Sequence, residues 1–255
     1  MLTAPTQSSG ALHEEGCLFC RTHDGGFVSR EHVFSEGLGN NENADNPKVL
    51  PPGVVCDRCN NGPLGLGDEA LVNFAPIAML RGERGLGSKS GKAPLAKFGN
   101  AQVAWTGRGE LTVFSPKGKA MDVRPTPDGR VKGTLNLTSG GPVTAKRIRL
   151  MVRSVWKSAV ELIYLDQGPE VAFDHTLDPA REAILNSRAS GWALVPMDAT
   201  PHQHVSLSYW YPCQVEGYEA LPILFDVFGM VILTDALFRQ ERSIERPDRV
   251  NLWEF

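Results

Sequence analysis

The sequence has no long apolar segment and no targeting signal that we can recognise, and both absences narrow its class. No run of about 18 apolar residues occurs, so no transmembrane helix is expected. The stretch M-L-T-A-P-T-Q-S-S-G at the N-terminus has neither a basic start nor an apolar core, so a signal peptide is not expected. We therefore expect a soluble, cytoplasmic protein with no membrane partner.

The chain also has little net charge. A net charge of -3 and a pI near 6.1 argue against a protein that coats nucleic acid by bulk charge. An enzyme that grips a few phosphates needs only a local basic patch, and the best candidates for nucleic-acid contact are Arg81, Arg84, Lys89 and Lys92. A second basic stretch spans residues 146–153. Solvated surface charge is the alternative interpretation of either stretch.

Composition along the chain divides it into four parts. Residues 1–14 are small and polar, which predicts a flexible N-terminus. Residues 15–82 hold all the paired cysteines. A run rich in Gly, Ser and Lys predicts a linker over residues 83–94. Residues 95–255 are expected to form an accessory α+β domain of unrecognised type.

The accessory region has recognisable strand and helix patterns but no diagnostic motif. Strands are predicted from A-Q-V-A-W-T, E-L-T-V-F, R-V-K-G-T-L-N-L, G-W-A-L-V-P, V-S-L-S-Y-W-Y and L-P-I-L-F-D-V-F-G-M-V-I-L. Apolar residues from Ile148 to Ile163 recur at helical spacing and predict an amphipathic helix of about four turns. Asp178 followed by Pro179 predicts the start of another helix.

Cysteine is scarce, but four of the five cysteines form two C-x-x-C pairs. These pairs are Cys17 with Cys20 and Cys56 with Cys59, while Cys213 stands alone among aromatic residues and is expected to be a small buried side chain. In a cytosolic chain, two such pairs predict a zinc site rather than disulfides. A first pair in a knuckle and a second pair just before a helix, expected from about Leu64, is the order of a treble-clef site.

Three further residues lie among the cysteines. Glu31 and His32 are adjacent in S-R-E-H-V-F, and Asn60 directly follows Cys59. Taken singly, the first two could be surface residues on a strand, and the third could be a helix cap. Taken together, C-x-x-C, E-H and C-x-x-C-N before a helix resemble the HNH (His-metal finger, ββα-metal) endonucleases, especially the four-cysteine zinc branch to which phage endonuclease VII belongs. The run S-R-E-H-V-F-S-E-G-L-G-N also resembles one found in bacterial HNH proteins, although Ser35 replaces their usual proline.

The resemblance covers residues 17–80 and implies a metal-dependent nuclease with an N-terminal treble-clef/ββα-metal module. His32 would be the general base, and Glu31 and Asn60 would hold a catalytic Mg²⁺ or Mn²⁺. Asn46 is our choice for the asparagine that braces the base-bearing loop, over Asn40, Asn41 and Asn43. Adjacent strand residues point to opposite faces, so Glu31 and His32 require a bend or an ion at the strand edge.

Several alternatives stay open. A catalytically inactive, zinc-stabilised module that binds nucleic acid or protein is the competing function. Asp68 could be a further acidic ligand, but a charge near a helix N-terminus is the preferred interpretation. His202 and His204 are taken as an ordinary histidine pair. DNA is the expected substrate, but the sequence does not separate it from RNA, and a homodimer is one open arrangement.

Overall fold

The computed structural model describes residues 13–40, 46–87, 92–98, 101–105, 111–114, 120–123, 145–186, 188–196, 200, 202–215, 218–237 and 250–254. Lys89, residues 1–12 of the predicted flexible N-terminus and the strand predicted over residues 130–137 lie outside this part of the chain. None of the described helices combines the length and the apolar character that a bilayer crossing requires.

Helices and strands are both abundant, as the α+β prediction requires. The helices are α1 (Asp57–Cys59), α2 (Gly65–Val72), α3 (Ala75–Glu83), α4 (Ala145–Gln167), α5 (Pro169–Ala172) and α6 (Asp178–Leu185), with a π-helical turn, Asn60–Leu64, between α1 and α2. Short 3-10 turns span Glu36–Leu38 and His175–Leu177. The strands are β1 (Leu95–Phe98), β2 (Ala101–Trp105), β3 (Leu111–Phe114), β4 (Ala120–Val123), β5 (Trp192–Pro196), β6 (Val205–Tyr209), β7 (Cys213–Val215), β8 (Tyr218–Ala220), β9 (Pro222–Val227), β10 (Met230–Asp235) and β11 (Val250–Glu254).

Two larger antiparallel sheets are described. Strands β1 to β4 form a meander in chain order, and the second sheet has the order β11-β5-β10-β9-β6. Strands β9 and β10 form a tight hairpin whose turn residues Phe228 and Gly229 both have positive φ, as a type I′ turn requires. Alternate residues of β9, namely Ile223, Phe225 and Val227, are buried, so one face of this sheet covers the core.

Helix α4 is the centre of the molecule. The predicted helix is confirmed, and it is longer than expected at 23 residues. It packs against α2, α5 and α6 and against strands β6, β9 and β11. Every residue from Met151 to Ile163 is buried, so the polar side chains in this part of the helix are shielded from solvent. Its polar side chains must instead find partners inside the protein.

The hydrophobic core crosses the predicted boundary between the two parts. One cluster of buried residues contains Cys17 and Leu71 from the N-terminal part together with Trp156 and Phe225 from the C-terminal part. Packing of α2 on α4 makes this connection. The first eighty residues therefore share their core with α4, while the linker over residues 83–94 stays a prediction.

Candidate metal and catalytic site

The two cysteine pairs come together in space. The Sγ atoms of Cys17, Cys20, Cys56 and Cys59 all lie within 4.8 Å of one another. The Sγ atoms of Cys20 and Cys56 are 3.7 Å apart. Four sulfurs held tetrahedrally at a zinc–sulfur distance of about 2.3 Å would be about 3.8 Å apart. The cluster is therefore close enough to hold a metal ion, and its thiol donors suit zinc.

Local backbone geometry explains why the pairs can meet. Gly16 and Arg21 both have positive φ, and they lie on either side of the first pair where the chain turns tightly. The backbone N–H of Cys56 donates to Cys17 Sγ, and that of Cys59 donates to Cys56 Sγ, both at 3.4 Å. Gly25 is needed because a Cβ there would lie 2.5 Å from Cys56 Cβ. These protein contacts alone hold the two cysteine pairs close together.

A second anchor holds the knuckle to α1. The Asp57 carboxylate accepts hydrogen bonds from the backbone N–H groups of Val28 and Ser29 and from Ser29 Oγ. The Ser29 hydroxyl, followed by these N–H groups, holds the pKa of Asp57 below its ordinary value. The segment that leads to Glu31 is thus fixed to the helix that carries Cys59.

The thiols of the cluster influence one another's protonation. The hydrogen bond with Cys59 lowers the pKa of Cys17 to about 5, so this thiol ionises easily. Burial raises the pKa of Cys56 to about 11, and the hydrogen bond with Cys17 raises the pKa of Cys59. One thiolate is therefore favoured without an ion, and a bound divalent cation would favour ionisation of the others.

The Glu-His pair lies in a loop that hydrogen-bonds to residues 48–50, rather than in a regular strand. Val33 N–H donates to the Lys48 carbonyl, Leu50 N–H donates to the Glu31 carbonyl, and His32 forms an isolated bridge with Val49. The two side chains diverge, as adjacent extended residues should. Glu31 is 4% exposed and points towards α4, whereas His32 is half-buried with Nε2 3.5 Å from Glu36 Oε1.

Asn60 connects the cysteine cluster to this loop. It follows α1 directly, and its Nδ2 donates to the Arg30 carbonyl at 3.2 Å. Its side-chain oxygen is not used by that bond. The residue predicted to bind a metal with Glu31 is thus tied to the residue that precedes Glu31.

A cleft of about 670 Å³ gathers the three candidate residues. Glu31, His32 and Asn60 all line it. The same walls contain the acidic residues Glu36, Asp68 and Glu69 and the basic residues Arg30 and Arg81. Carboxylates therefore outnumber cationic side chains on the walls.

The bracing asparagine is Asn40 rather than the predicted Asn46. Asn40 is buried, and its Nδ2 donates to the carbonyls of Phe34 and Lys48 while its Oδ1 accepts from Lys48 N–H. These bonds close the loop that carries His32. Asn46 is exposed. Sequence alone could not choose among the asparagines, whereas burial and hydrogen bonding distinguish Asn40 from Asn46; Asn41 and Asn43 lie outside the described residues.

The predicted basic patch is not an exposed surface at Arg81 and Arg84. Arg81 is 3% exposed, and its guanidinium donates to the carbonyls of Gly37, Val72 and Gly87. Burial lowers the pKa of Arg81. Arg84 donates to the His202 and Leu80 carbonyls and stacks on Phe228. These guanidinium groups stabilise loops, whereas Lys92 is exposed as expected and Lys89 lies outside the described residues.

Sequence inspection missed Lys157, which lies behind the cleft. Its Nζ is 2.5 Å from Glu31 Oε1 and 3.0 Å from Asp68 Oδ2. Asp68 also accepts a hydrogen bond from Ser154 Oγ, so it is more than a charge near the start of α2. The available signal was a Lys with a Glu four residues later, Glu161, in a helix predicted to be amphipathic. Burial raises the pKa of Glu31, and the charge of Lys157 opposes this rise.

The histidine pair has an acidic partner that the sequence did not reveal. His202 Nε2 lies 2.8 Å from Asp226 Oδ2 on β9, 24 positions away. His204 is exposed, and its ring centroid is 5.8 Å from that of His202. Within the described residues, only the four-cysteine cluster gathers three or more metal-binding side chains closely enough for an ion.

Comparison with known proteins identified no relative of this chain. No family model matches the chain, and searches of curated proteins and solved structures returned no match. The functional argument therefore depends on the site residues themselves.

Proposed function

We propose that this protein is a metal-dependent endonuclease of the HNH type that hydrolyses phosphodiester bonds in nucleic acid, with DNA as the expected substrate. The observation that carries the proposal is the cleft that Glu31, His32 and Asn60 all line, beside a four-cysteine cluster. A cysteine cluster that served only for stability would need none of the three residues. Their shared wall agrees with the roles that the sequence resemblance implies.

Zinc is the proposed occupant of the cysteine cluster. Four sulfur donors within 4.8 Å of one another favour zinc among the common biological cations, since zinc prefers four thiolate ligands in a tetrahedron. The role would be structural, because all four positions are taken by protein ligands and none is open for a reacting water. A structural zinc site can supply much of the folding free energy of a small module.

The catalytic ion would be held elsewhere, by oxygen ligands. Glu31 Oε1 is engaged by Lys157, but Glu31 Oε2 is buried and has no hydrogen-bond partner among the described residues. A buried carboxylate oxygen without a partner is costly, and a bound cation would satisfy it. Together with Asn60 Oδ1, it provides hard ligands suited to Mg²⁺ or Mn²⁺. The ion would supply charge neutralisation at the phosphate and the leaving oxygen.

The protein residues would then carry the proton transfer. His32 takes a proton from the attacking water, since a neutral imidazole accepts protons near neutral pH. Glu36, 3.5 Å from His32 Nε2, stabilises the resulting imidazolium. The acidic walls repel a polyanionic substrate, so we expect cleavage to depend fully on the divalent ion.

A zinc-stabilised binding module without catalysis is the second candidate. The observation in its favour is the contact of Glu31 with Lys157, which already gives the carboxylate a cationic partner inside the protein. On this proposal the cleft would bind nucleic acid or protein, and His32 would have no proton to transfer.

Cleavage of supercoiled plasmid, with and without Mg²⁺ or Mn²⁺, tests the proposal. We expect nicked or linear product only with the divalent ion. The His32→Ala variant should lose ~10²–10⁴ in rate, the usual contribution of a general base, and keep its zinc. His175→Ala is the matched control, because the His175 side chain is 92% exposed and lies outside the cleft.

Metal rescue separates the roles of the three residues. Glu31→Ala and Asn60→Ala should weaken the divalent ion, so higher Mn²⁺ should restore part of their activity and none of the activity of His32→Ala. If the wild type binds nucleic acid without cutting it, and all three variants bind equally, the binding module is correct. Full activity of His32→Ala would direct attention to His202 and His204.

A further inference from the structure

A charged cluster lies inside the protein where α4 meets the back of the cleft. The Lys157 side chain is fully buried, and its Nζ lies 2.5 Å from Glu31 Oε1, 3.0 Å from Asp68 Oδ2 and 3.7 Å from Glu161 Oε2. The backbone carbonyl of His32 accepts a further hydrogen bond from Nζ at 2.9 Å. One ammonium group therefore contacts both members of the Glu-His pair.

The charges of this cluster do not balance. Three carboxyl groups surround one ammonium, and Glu31 Oε2 and both oxygens of Glu161 have no hydrogen-bond partner among the described residues. Burial raises the pKa of Glu161 well above its ordinary value, which favours its neutral form, so the Lys157 ammonium faces the two carboxylates of Glu31 and Asp68. A carboxylate oxygen without a partner is costly to bury, and the one on Glu31 belongs to a residue of the cleft wall. Two of the carboxylates, Glu31 and Asp68, form part of the cleft wall. The unbalanced negative charge therefore lies next to the space that substrate and ion would enter.

Helix α4 also holds the backbone of the loop that carries the base. Lys157 donates to the His32 carbonyl, and the next residue, Ser158, donates to the Val33 carbonyl at 2.5 Å. Two consecutive residues of a rigid helix thus fix two consecutive carbonyls of the loop. Reacting groups must be held to a fraction of an ångström, and loops meet this demand only when a rigid element supports them.

We propose that Lys157 is a positioning residue of the active site. It holds one oxygen of Glu31 so that the other remains available to a divalent ion, and it fixes the backbone at His32. This inference rests on the proposed nuclease function and extends the active site from the N-terminal cysteine module to α4. Residues that orient metal ligands typically contribute 10–100-fold to metal affinity or activity.

The Lys157→Met variant tests the proposal, with Arg153→Met as its matched control. Arg153 lies four positions earlier on α4 and is equally buried, but its guanidinium donates to the Ile184 carbonyl, away from the cleft. Both variants lose a buried cation, so both should lower the unfolding temperature. In zinc-loaded full-length protein, only Lys157→Met should weaken Mn²⁺ binding, by ~10–100-fold in an electron paramagnetic resonance titration. The Mn²⁺ concentration for half-maximal cleavage should rise with it.

Each outcome of these measurements supports or overturns the proposed role of Lys157. Wild-type Mn²⁺ affinity in Lys157→Met overturns the proposal, and so does equal weakening in Arg153→Met, because the cause would then be general loosening. Lys157→Gln keeps N–H donors in the same space and carries the same expectation if the Met variant does not fold. If the wild type binds Mn²⁺ but cuts nothing, the nuclease function fails while the Mn²⁺ comparison still tests Lys157. If the wild type binds no Mn²⁺, both fall.

Discussion

The side chain of one asparagine makes three hydrogen bonds to backbone groups, as a neighbouring β-strand would. Asn40 donates to two carbonyls and accepts from one N–H, and two of these three bonds join it to Lys48. The amide side chain thus copies the pairing that a neighbouring strand would provide.

This role gives a prediction at the scale of one residue. Asn40→Ala should lower the free energy of unfolding by roughly 2–4 kcal/mol, because it leaves three backbone groups without their partners. Asn46→Ala is the control, since Asn46 is exposed and a surface change of this kind costs at most about 0.5 kcal/mol. Urea unfolding followed by circular dichroism measures both. Equal losses in the two variants would show that Asn40 does not brace the loop.

Individual residues also show how much of the candidate site could be predicted from the sequence. The cysteine pairs could be predicted because a chelating turn requires a fixed local spacing, and Glu31, His32 and Asn60 because they lie close to those cysteines in sequence. Lys157 could not, because it reaches Glu31 from 126 positions away and only the packing of α4 makes that contact. Arg81 was misplaced for a related reason: sequence reports its charge, whereas the three carbonyls that bind it come from the fold.

At the scale of elements, the short helix α1 has two uses. Its first turn begins at Cys56 and presents Cys59, and the residue after it is Asn60. Asp57 in the same turn binds the segment before Glu31 through Val28 and Ser29. The cysteine cluster and the cleft therefore share one rigid support, so disturbance of the cluster should reach the cleft.

Removal of one cysteine measures that support. Cys56→Ala should abolish the one zinc per chain that elemental analysis is expected to find. A loss of at least about 4 kcal/mol in unfolding free energy is expected, since zinc binding stabilises the fold, and this corresponds to roughly 8–16 °C in Tm. Cys213→Ala is the control because Cys213 lies outside the cluster, and it should keep its zinc. A metal-free wild type with an intact fold would contradict the prediction.

Among larger elements, the sequence pattern predicted α4 and the β structure of the segment that contains β9 and β10, although it did not predict that this segment folds into a hairpin. The apolar spacing did not predict that the polar residues of α4 are buried. A helix with polar residues on one side is expected at a surface, yet Arg153, Lys157 and Glu161 are all buried here. Periodicity carries no information on whether a polar face meets water or meets partners such as Glu31.

At the scale of the whole molecule, two observations bear on the predicted linker. Its first residues are held, because Arg84 donates to the His202 carbonyl and Leu86 N–H donates to the Arg81 carbonyl. The hydrophobic core also continues from the N-terminal part into α4. A boundary over residues 83–94 need not, therefore, separate two independent units.

Limited trypsin digestion tests this arrangement. We expect the first cut after Lys89 or Lys92, in the run rich in Gly, Ser and Lys, rather than after the buried Arg81 or the bound Arg84. The two fragments should then elute together in gel filtration under native conditions, because α2 stays packed on α4. Separate elution would show two independent domains, and early cutting at Arg81 would contradict the structure.

The contact between Glu31 and Lys157 also has a consequence for synthesis of the chain. A ribosome that adds about 5–20 residues per second needs roughly 6–25 s to cover the 126 positions between them. During that interval the nascent chain carries the Glu-His loop without the helix that holds it. Translation must therefore pass residue 158 before the loop can reach its final packing, so the candidate site stays incomplete on the nascent chain for at least this interval.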